Sequence, residues 1–220
     1  MPDAPLLHVA AAIAAGRPVN ILAVGTASTV GLTRHAETVE SFPYRMVEAL
    51  HAARPRATFN LTVRGGHGMT ADTMLPLIVE ALASQRYQLV IWQTGTVEAV
   101  RGEAPDAMEA ALEAGAQRVA DAGGDLVLVD SQFSRFLRAN VDLDPYETVL
   151  QQVATMQGVV LFHRYDLMNA WVDGDVIDLE RTPRIGRDKV IARLGVCIGN
   201  ALAHFVLNGA ALDSATASQH

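Results

Sequence analysis

The stretch Val19-Asn20-Ile21-Leu22-Ala23-Val24-Gly25-Thr26-Ala27-Ser28-Thr29 decides how the rest of the chain is read. A short run, apolar at all but one position, leads straight into a glycine and then four small residues. That pattern fits a strand buried on both faces that ends in a tight turn. Four further runs share its character, at 58–63, 88–93, 125–129 and 159–162. Between them lie longer stretches with helical spacing, at 44–53, 71–84, 107–122, 145–156, 165–172 and 187–207. Strands alternating with helices require crossover connections, so the expected class is α/β with a five-stranded parallel sheet.

Local signals sharpen this pattern. Asp106 followed by Glu109 reads as a capping box at the start of the 107–122 helix, and Gly123-Gly124 supplies the stop. A further helix at 5–15, ending at Gly16, is expected to lie across the sheet. No linker composition or internal repeat divides the 220 residues, so the expected organisation is an N-terminal helix (1–17), one α/β domain (18–208) and a disordered tail (209–220).

Half of the residues are hydrophobic and 19% are charged, enough apolar material for one substantial core. A net charge of −7 offers no footprint for a nucleic acid backbone or an anionic membrane. The single cysteine, Cys197, leaves no internal disulfide or cysteine metal site and is expected to be a small buried hydrophobe. The chain starts Met1-Pro2-Asp3 and its first apolar stretch carries His8 and is too short to span a bilayer, so a cytoplasmic protein without a transmembrane segment is expected.

In an open parallel sheet, ligands bind beyond the carboxyl ends of the strands. The loops to inspect are therefore 25–33, 64–70, 94–102, 130–140, 163–166 and the stretch 173–187. Gly25-Thr26-Ala27-Ser28-Thr29 resembles the GDSxT turn of the SGNH (GDSL-type) hydrolases. The second loop, Arg64-Gly65-Gly66-His67-Gly68-Met69-Thr70, is similar to their second block. The third, Gln93-Thr94-Gly95-Thr96-Val97-Glu98-Ala99-Val100-Arg101-Gly102, is similar to the block written GxND. Three blocks in order, each after a strand, identify the chain as resembling that family over about 19–203. The resemblance implies a three-layer α/β/α, flavodoxin-like SGNH hydrolase fold. The GTAST turn and Trp92-Gln93-Thr94-Gly95-Thr96 also resemble a bacterial subgroup that accompanies cellulose-synthase operons.

Carried over position by position, the family's catalytic serine falls on Ala27, whose methyl cannot attack a carbonyl. The oxyanion glycine falls on Gly68 and is kept. The oxyanion asparagine falls on Val97, which has nothing to donate, and its neighbour is Glu98. The DxxH block before the last helix is missing, because Asp173-Gly174-Asp175-Val176 ends in valine and neither Asp178 nor Asp188 has a histidine three places on. Losing one oxyanion donor typically costs about 100- to 1000-fold in turnover, and triad members act as a unit.

The expected function is therefore an SGNH-fold protein with a degenerate catalytic set, acting as a binding or accessory component, in exopolysaccharide (cellulose) production by the subgroup resemblance. The alternative is a divergent esterase or carbohydrate deacylase with Ser28 as nucleophile and His67 or His163 as base. Against that alternative, Ser28 is expected to cap the following backbone, and His163 to bond Asp166 or backbone. Further ligand candidates are Thr26, Glu98, Arg101, Asp130 and Gln132. Glu98 and Arg101 could form an ion pair that only shapes the loop, and Asp130 and Gln132 could satisfy loop N–H groups. Trp92 reads as core rather than a stacking platform for a sugar.

No Gly-Lys-Ser/Thr follows the glycines, the glycine spacing is wrong for a dinucleotide, and no histidine pair has the spacing of a helical zinc site, so no cofactor or metal is expected. A small-molecule or saccharide ligand, a protein partner and a homo-oligomer all remain open, the last through the Ala-rich first helix and apolar last helix.

Overall fold

In a computed structural model, residues 2, 4–31 and 41–216 are described. The five expected strands form one parallel sheet in the order β2-β1-β3-β4-β5. They are β1 (Val19–Gly25), β2 (Phe59–Gly65), β3 (Leu89–Gln93), β4 (Asp125–Val129) and β5 (Val159–Phe162). The helices are α1 (Leu7–Ala14), α2 (Ala27–Val30), α3 (Phe42–Ala53), α4 (Ala71–Ser84), α5 (Thr96–Arg101), α6 (Pro105–Asp121), α7 (Arg135–Asn140), α8 (Asp144–Val153), α9 (Arg164–Asp173) and α10 (Arg187–Thr216). Helices cover both faces of the sheet, as the three-layer reading requires.

Every residue of β3, β4 and β5 is buried, which explains why their sequences show no polar alternation. Strand β2, at the opposite edge from β5, is only partly covered beyond Phe59. Alternate residues of each strand feed two separate cores. Leu22, Val24, Val90, Trp92 and Leu128 face α4, α6 and α8, while Ile21, Ala23, Ile91 and Val129 face α1, α3 and α10. Each fully buried Leu, Ile or Val stabilises by about 1.5–3 kcal/mol relative to exposure, so the sheet is fixed from both sides.

Two glycines permit contacts that no other residue would. A Cβ on Gly115 of α6 would stand 2.3 Å from the Trp92 ring, so the helix rests directly on the indole. Trp92 is accordingly a core residue. A Cβ on Gly65, at φ +122°, would stand 1.9 Å from the Gly25 carbonyl oxygen, and only glycine lets β1 and β2 end side by side there.

Several local expectations need correction. Helix α6 starts at Pro105 with Ala104 as its N-cap, not at an Asp106 capping box, because proline is preorganised for the first helical position. Its stop is as expected, with Gly123 at φ +69°. Short helices α2, α5 and α7 lie within stretches read from the sequence as loops. The last helix runs on through 209–216, positions expected to belong to a tail; 217–220 lie outside the described residues. Cys197 is half-buried rather than enclosed.

Over Arg187–Ala211, α10 is long and apolar enough by length and composition to cross a membrane. In this fold Ile198, Leu202, Ala203, Phe205 and Val206 pack into the second core, and Gly199 lets α10 meet the α3 backbone at Met46.

At the amino end of β4, Asp125 docks the first helix onto the sheet. Its carboxylate accepts the N–H groups of His8 (3.0 Å) and Val9 (2.9 Å), two of the donors that a helix start leaves unsatisfied. Burial pushes Asp125 up to about 6, against these hydrogen bonds and the nearby His8, which favour the charged form.

Candidate functional site

A cleft of about 290 Å³ lies at the carboxyl edge of the sheet, where β1, β2 and β3 end. Its floor comes from the β1 turn: Thr26, Ala27 and Ser28. One wall is His67 and Gly68 after β2. The other is Thr96, Val97, Val100 and Arg101 of α5, with Gln132 after β4. Of the residues singled out in the sequence, Thr26, Ala27, Ser28, His67, Gly68, Val97, Arg101 and Gln132 thus meet at one place.

The turn is organised by a residue that the sequence reading took only as the end of a strand. Gln93, buried at the end of β3, presents its Oε1 to four donors. These are the Thr26 N–H (3.1 Å), the Thr26 hydroxyl (2.9 Å), the Thr29 hydroxyl (3.0 Å) and the Ser28 hydroxyl (3.3 Å). Gly25 is needed for this convergence, since a Cβ there would strike Thr29 Oγ1 and crowd Gln93. Ser28 therefore does not cap the following backbone as expected; its hydroxyl points to Gln93.

Ser28 Oγ also accepts a hydrogen bond from Arg164 Nη1 at 3.4 Å. Arg164, the first residue of α9, is 1% exposed, and its Nε and Nη2 are buried without hydrogen-bond partners among the described residues. Burial draws its guanidinium down to about 10, and the charges of Asp130 and Glu147 oppose that shift. Glu147 of α8 is pushed up to about 7, first by burial and then by the charge of Asp130, while hydrogen bonds from Ser131 and the Arg164 charge favour its ionised form. One buried cation thus sits among two carboxylates directly behind the cleft. Arg164 and Glu147 were missed in the sequence; for Arg164 the available signal was a charged residue two places after an apolar strand, and Glu147, inside α8, carried none.

Three expected ligand contacts stand elsewhere. Glu98 does not pair with Arg101. It is buried and accepts the Ala71 N–H (2.7 Å), the Thr94 hydroxyl (2.5 Å) and the Gly95 N–H (2.9 Å), tying α4 and α5 to the end of β3. As the third residue of α5, its side chain reaches back to the helix start, the geometry of a capping box. Arg101 instead pairs loosely with Glu103, at 3.4 Å.

Asp130 is also buried and accepts the Tyr165 N–H at 2.8 Å near the start of α9. His163 is not among the described residues that line the cleft, and its Nδ1 stands 3.7 Å from the Asp130 carboxylate. The segment carrying Asp178, where the family has its final block, is held by Arg135, whose Nη1 lies 2.7 Å from Asp178.

On the cleft side, the guanidinium of Arg101 overhangs Gly68. A Cβ on that glycine, at φ +73°, would lie 3.0 Å from Arg101 Nη2. Among the described residues, the hydrogen-bond partners of the Ser28 hydroxyl are Gln93 and Arg164, and neither is an imidazole.

The model of the Non-GDSL lipase-like family matches residues 1–212. Among solved structures, the protein TesA superposes with a TM-score of 0.61 at 16% identity, covering 84% of this chain and 99% of that one. An acetylxylan esterase from Geobacillus stearothermophilus gives 0.63 at 16% identity, over 82% of this chain and 94% of the other. A two-domain esterase active on acetylated mannans gives 0.66 at 14% identity, over 91% of this chain and 54% of that protein. At these identities the likeness establishes the fold. No curated protein matches the chain.

Proposed function

Because this chain belongs to the Non-GDSL lipase-like family and has the SGNH hydrolase fold, we propose that it uses the family's ester-hydrolase cleft to bind a small polar ligand, without Ser-His-Asp hydrolysis. The observation that carries this reading is the state of the β1 turn. Ala27 presents a methyl at the position that matches the nucleophile, and the neighbouring Ser28 hydroxyl is held between Gln93 Oε1 and Arg164 Nη1. A serine needs a base within hydrogen-bond reach to lose its proton as it attacks.

The test is hydrolysis of p-nitrophenyl acetate and of an acetylated sugar by the wild-type chain and its Ser28→Ala variant. Activity no greater than that of the variant supports binding without catalysis. Turnover that disappears with Ser28 supports the second reading, a divergent esterase or carbohydrate deacylase. That reading is favoured by one specific contact: Arg164 on Ser28 Oγ would stabilise an alkoxide, and His67 lines the same cleft.

The GTAST turn and the WQTGT stretch extend the proposal to an accessory part in exopolysaccharide production. Deleting the gene in a cellulose-producing host should then lower polymer yield, and an Ala27→Ser copy should restore it as well as the native one.

A further inference from the structure

We propose that the ligand of this cleft is a small sugar acid whose carboxylate docks on Arg101 beside Gly68, an inference that rests on the binding reading above.

The first support is the sign of the lining. Among the described residues, no aspartate or glutamate lines the cleft. The two carboxylates that the sequence brings closest, Glu98 and Asp130, are 2% exposed and spend their oxygens on the N–H groups of Ala71, Gly95 and Tyr165. They are unavailable to a cationic ligand and are turned away from an anionic one.

The second support is the placement of two guanidiniums. Arg101 directs Nη1 outward to Glu103 and holds Nη2 over Gly68. Its side chain is about half exposed, so it can swing its planar fork onto a carboxylate at little desolvation cost. Buried Arg164, which does not itself line the cleft, donates to Ser28. That bond occupies a lone pair of the hydroxyl and leaves its proton free to turn from Gln93 toward an incoming acceptor. Arg164 is offset by Asp130 and Glu147, so Arg101 carries the charge recognition and Ser28 the second hydrogen bond.

The third support is size and texture. A cleft of about 290 Å³ holds the volume of about ten waters, room for a monosaccharide-sized molecule. Thr96 and Gln132 offer hydroxyl and amide groups, and Val97 and Val100 offer an apolar wall for the face of a ring. A carboxylate, several hydroxyls and one apolar face together describe a hexuronic acid.

The experiment titrates glucuronate and, separately, glucose into the isotopically labelled full chain and follows the backbone amide shifts of Ser28, Gly68 and Val97. Glucuronate should bind at least about tenfold more tightly than glucose, as a charged hydrogen bond implies, and this preference should shrink with added salt. Arg101→Gln should remove the preference, and Arg101→Lys should keep only part of it. Glu103→Gln, which removes the competing carboxylate, should tighten glucuronate binding by about twofold.

Equal affinity for the two sugars, or a preference that survives Arg101→Gln, would overturn the proposal while leaving a binding cleft in place. Silence toward both sugars would overturn it as well. The ester assay decides the binding reading separately, since Ser28-dependent turnover defeats that reading whatever the titration shows.

Discussion

The two ends of β4 hold the same device and put it to different use. At the amino end Asp125 receives the His8 and Val9 N–H groups and docks α1; at the carboxyl end Asp130 receives the Tyr165 N–H and docks α9. Both are buried aspartates at helix starts. Around Asp125 the burial cost is met by backbone donors and His8 alone, and its polar demand is closed. Around Asp130 a fully buried arginine, a second carboxylate and two guanidinium nitrogens without partners among the described residues accumulate, and the arginine reaches through to Ser28. The first end needs only to hold a helix, whereas the second carries polar groups that holding a helix does not require. In an α/β sheet that asymmetry marks the carboxyl edge as the working side.

The sharpest way to break this comparison is Arg164→Leu. It leaves Asp130 and Glu147 facing one another without a cation, and should cost about 3–5 kcal/mol in urea unfolding at pH 8. The loss should be smaller at pH 5, where a proton can replace the cation. Equal losses at both pH values would mean that the arginine matters for packing alone.

Asp125→Ala should cost less, about 1–3 kcal/mol, by leaving two buried N–H groups unsatisfied. Faster amide exchange at His8 and Val9 with an unchanged cleft would confirm that this end is structural.

Glu147→Gln sharpens the comparison through pH. The Glu147 carboxyl is raised from an ordinary 4.5 to about 7 in the fold, so between those values the native state holds a proton that the unfolded chain has released. Its contribution is fully present below about 4.5 and is lost as pH rises through about 7. The glutamine variant should therefore show a flatter fall in stability over that window. A wild-type profile that already matches the variant's would refute the raised carboxyl.

The smallest effect is expected from Ala27→Ser, within about 0.5 kcal/mol in stability. Restoring the hydroxyl alone should give no ester turnover, because Val97 still lacks a donor and the final DxxH block is still missing. Turnover appearing with that one change would show that a base is already poised in the cleft.

The sheet was legible because burial on both faces erases polar alternation, and β3 and β4 have just that texture. The β1 turn was legible too, since Gly25 and Thr29 are fixed by a close approach that few residues allow. Gln93 was not, because its role arises only where the end of β3 lies beside the turn after β1. Glu98 and Arg101 misled for a related reason: their spacing places them on neighbouring turns of α5, but the backbone N–H groups of Ala71 and Gly95 compete for the carboxylate and win. Arg164 and Glu147 lie on different helices, and nothing in their local sequence announces that Asp130 and Glu147 share one cation.

Trp92 stands one residue before Gln93, sealed against bare Gly115, with its indole Nε1 lacking a hydrogen-bond partner. An indole so shielded emits at short wavelength, while Trp171, the chain's other tryptophan, is only half-buried. The protein thus carries its own optical gauge on the strand that holds the turn in shape, and any event that pulls Gln93 should register as a change of colour without a label.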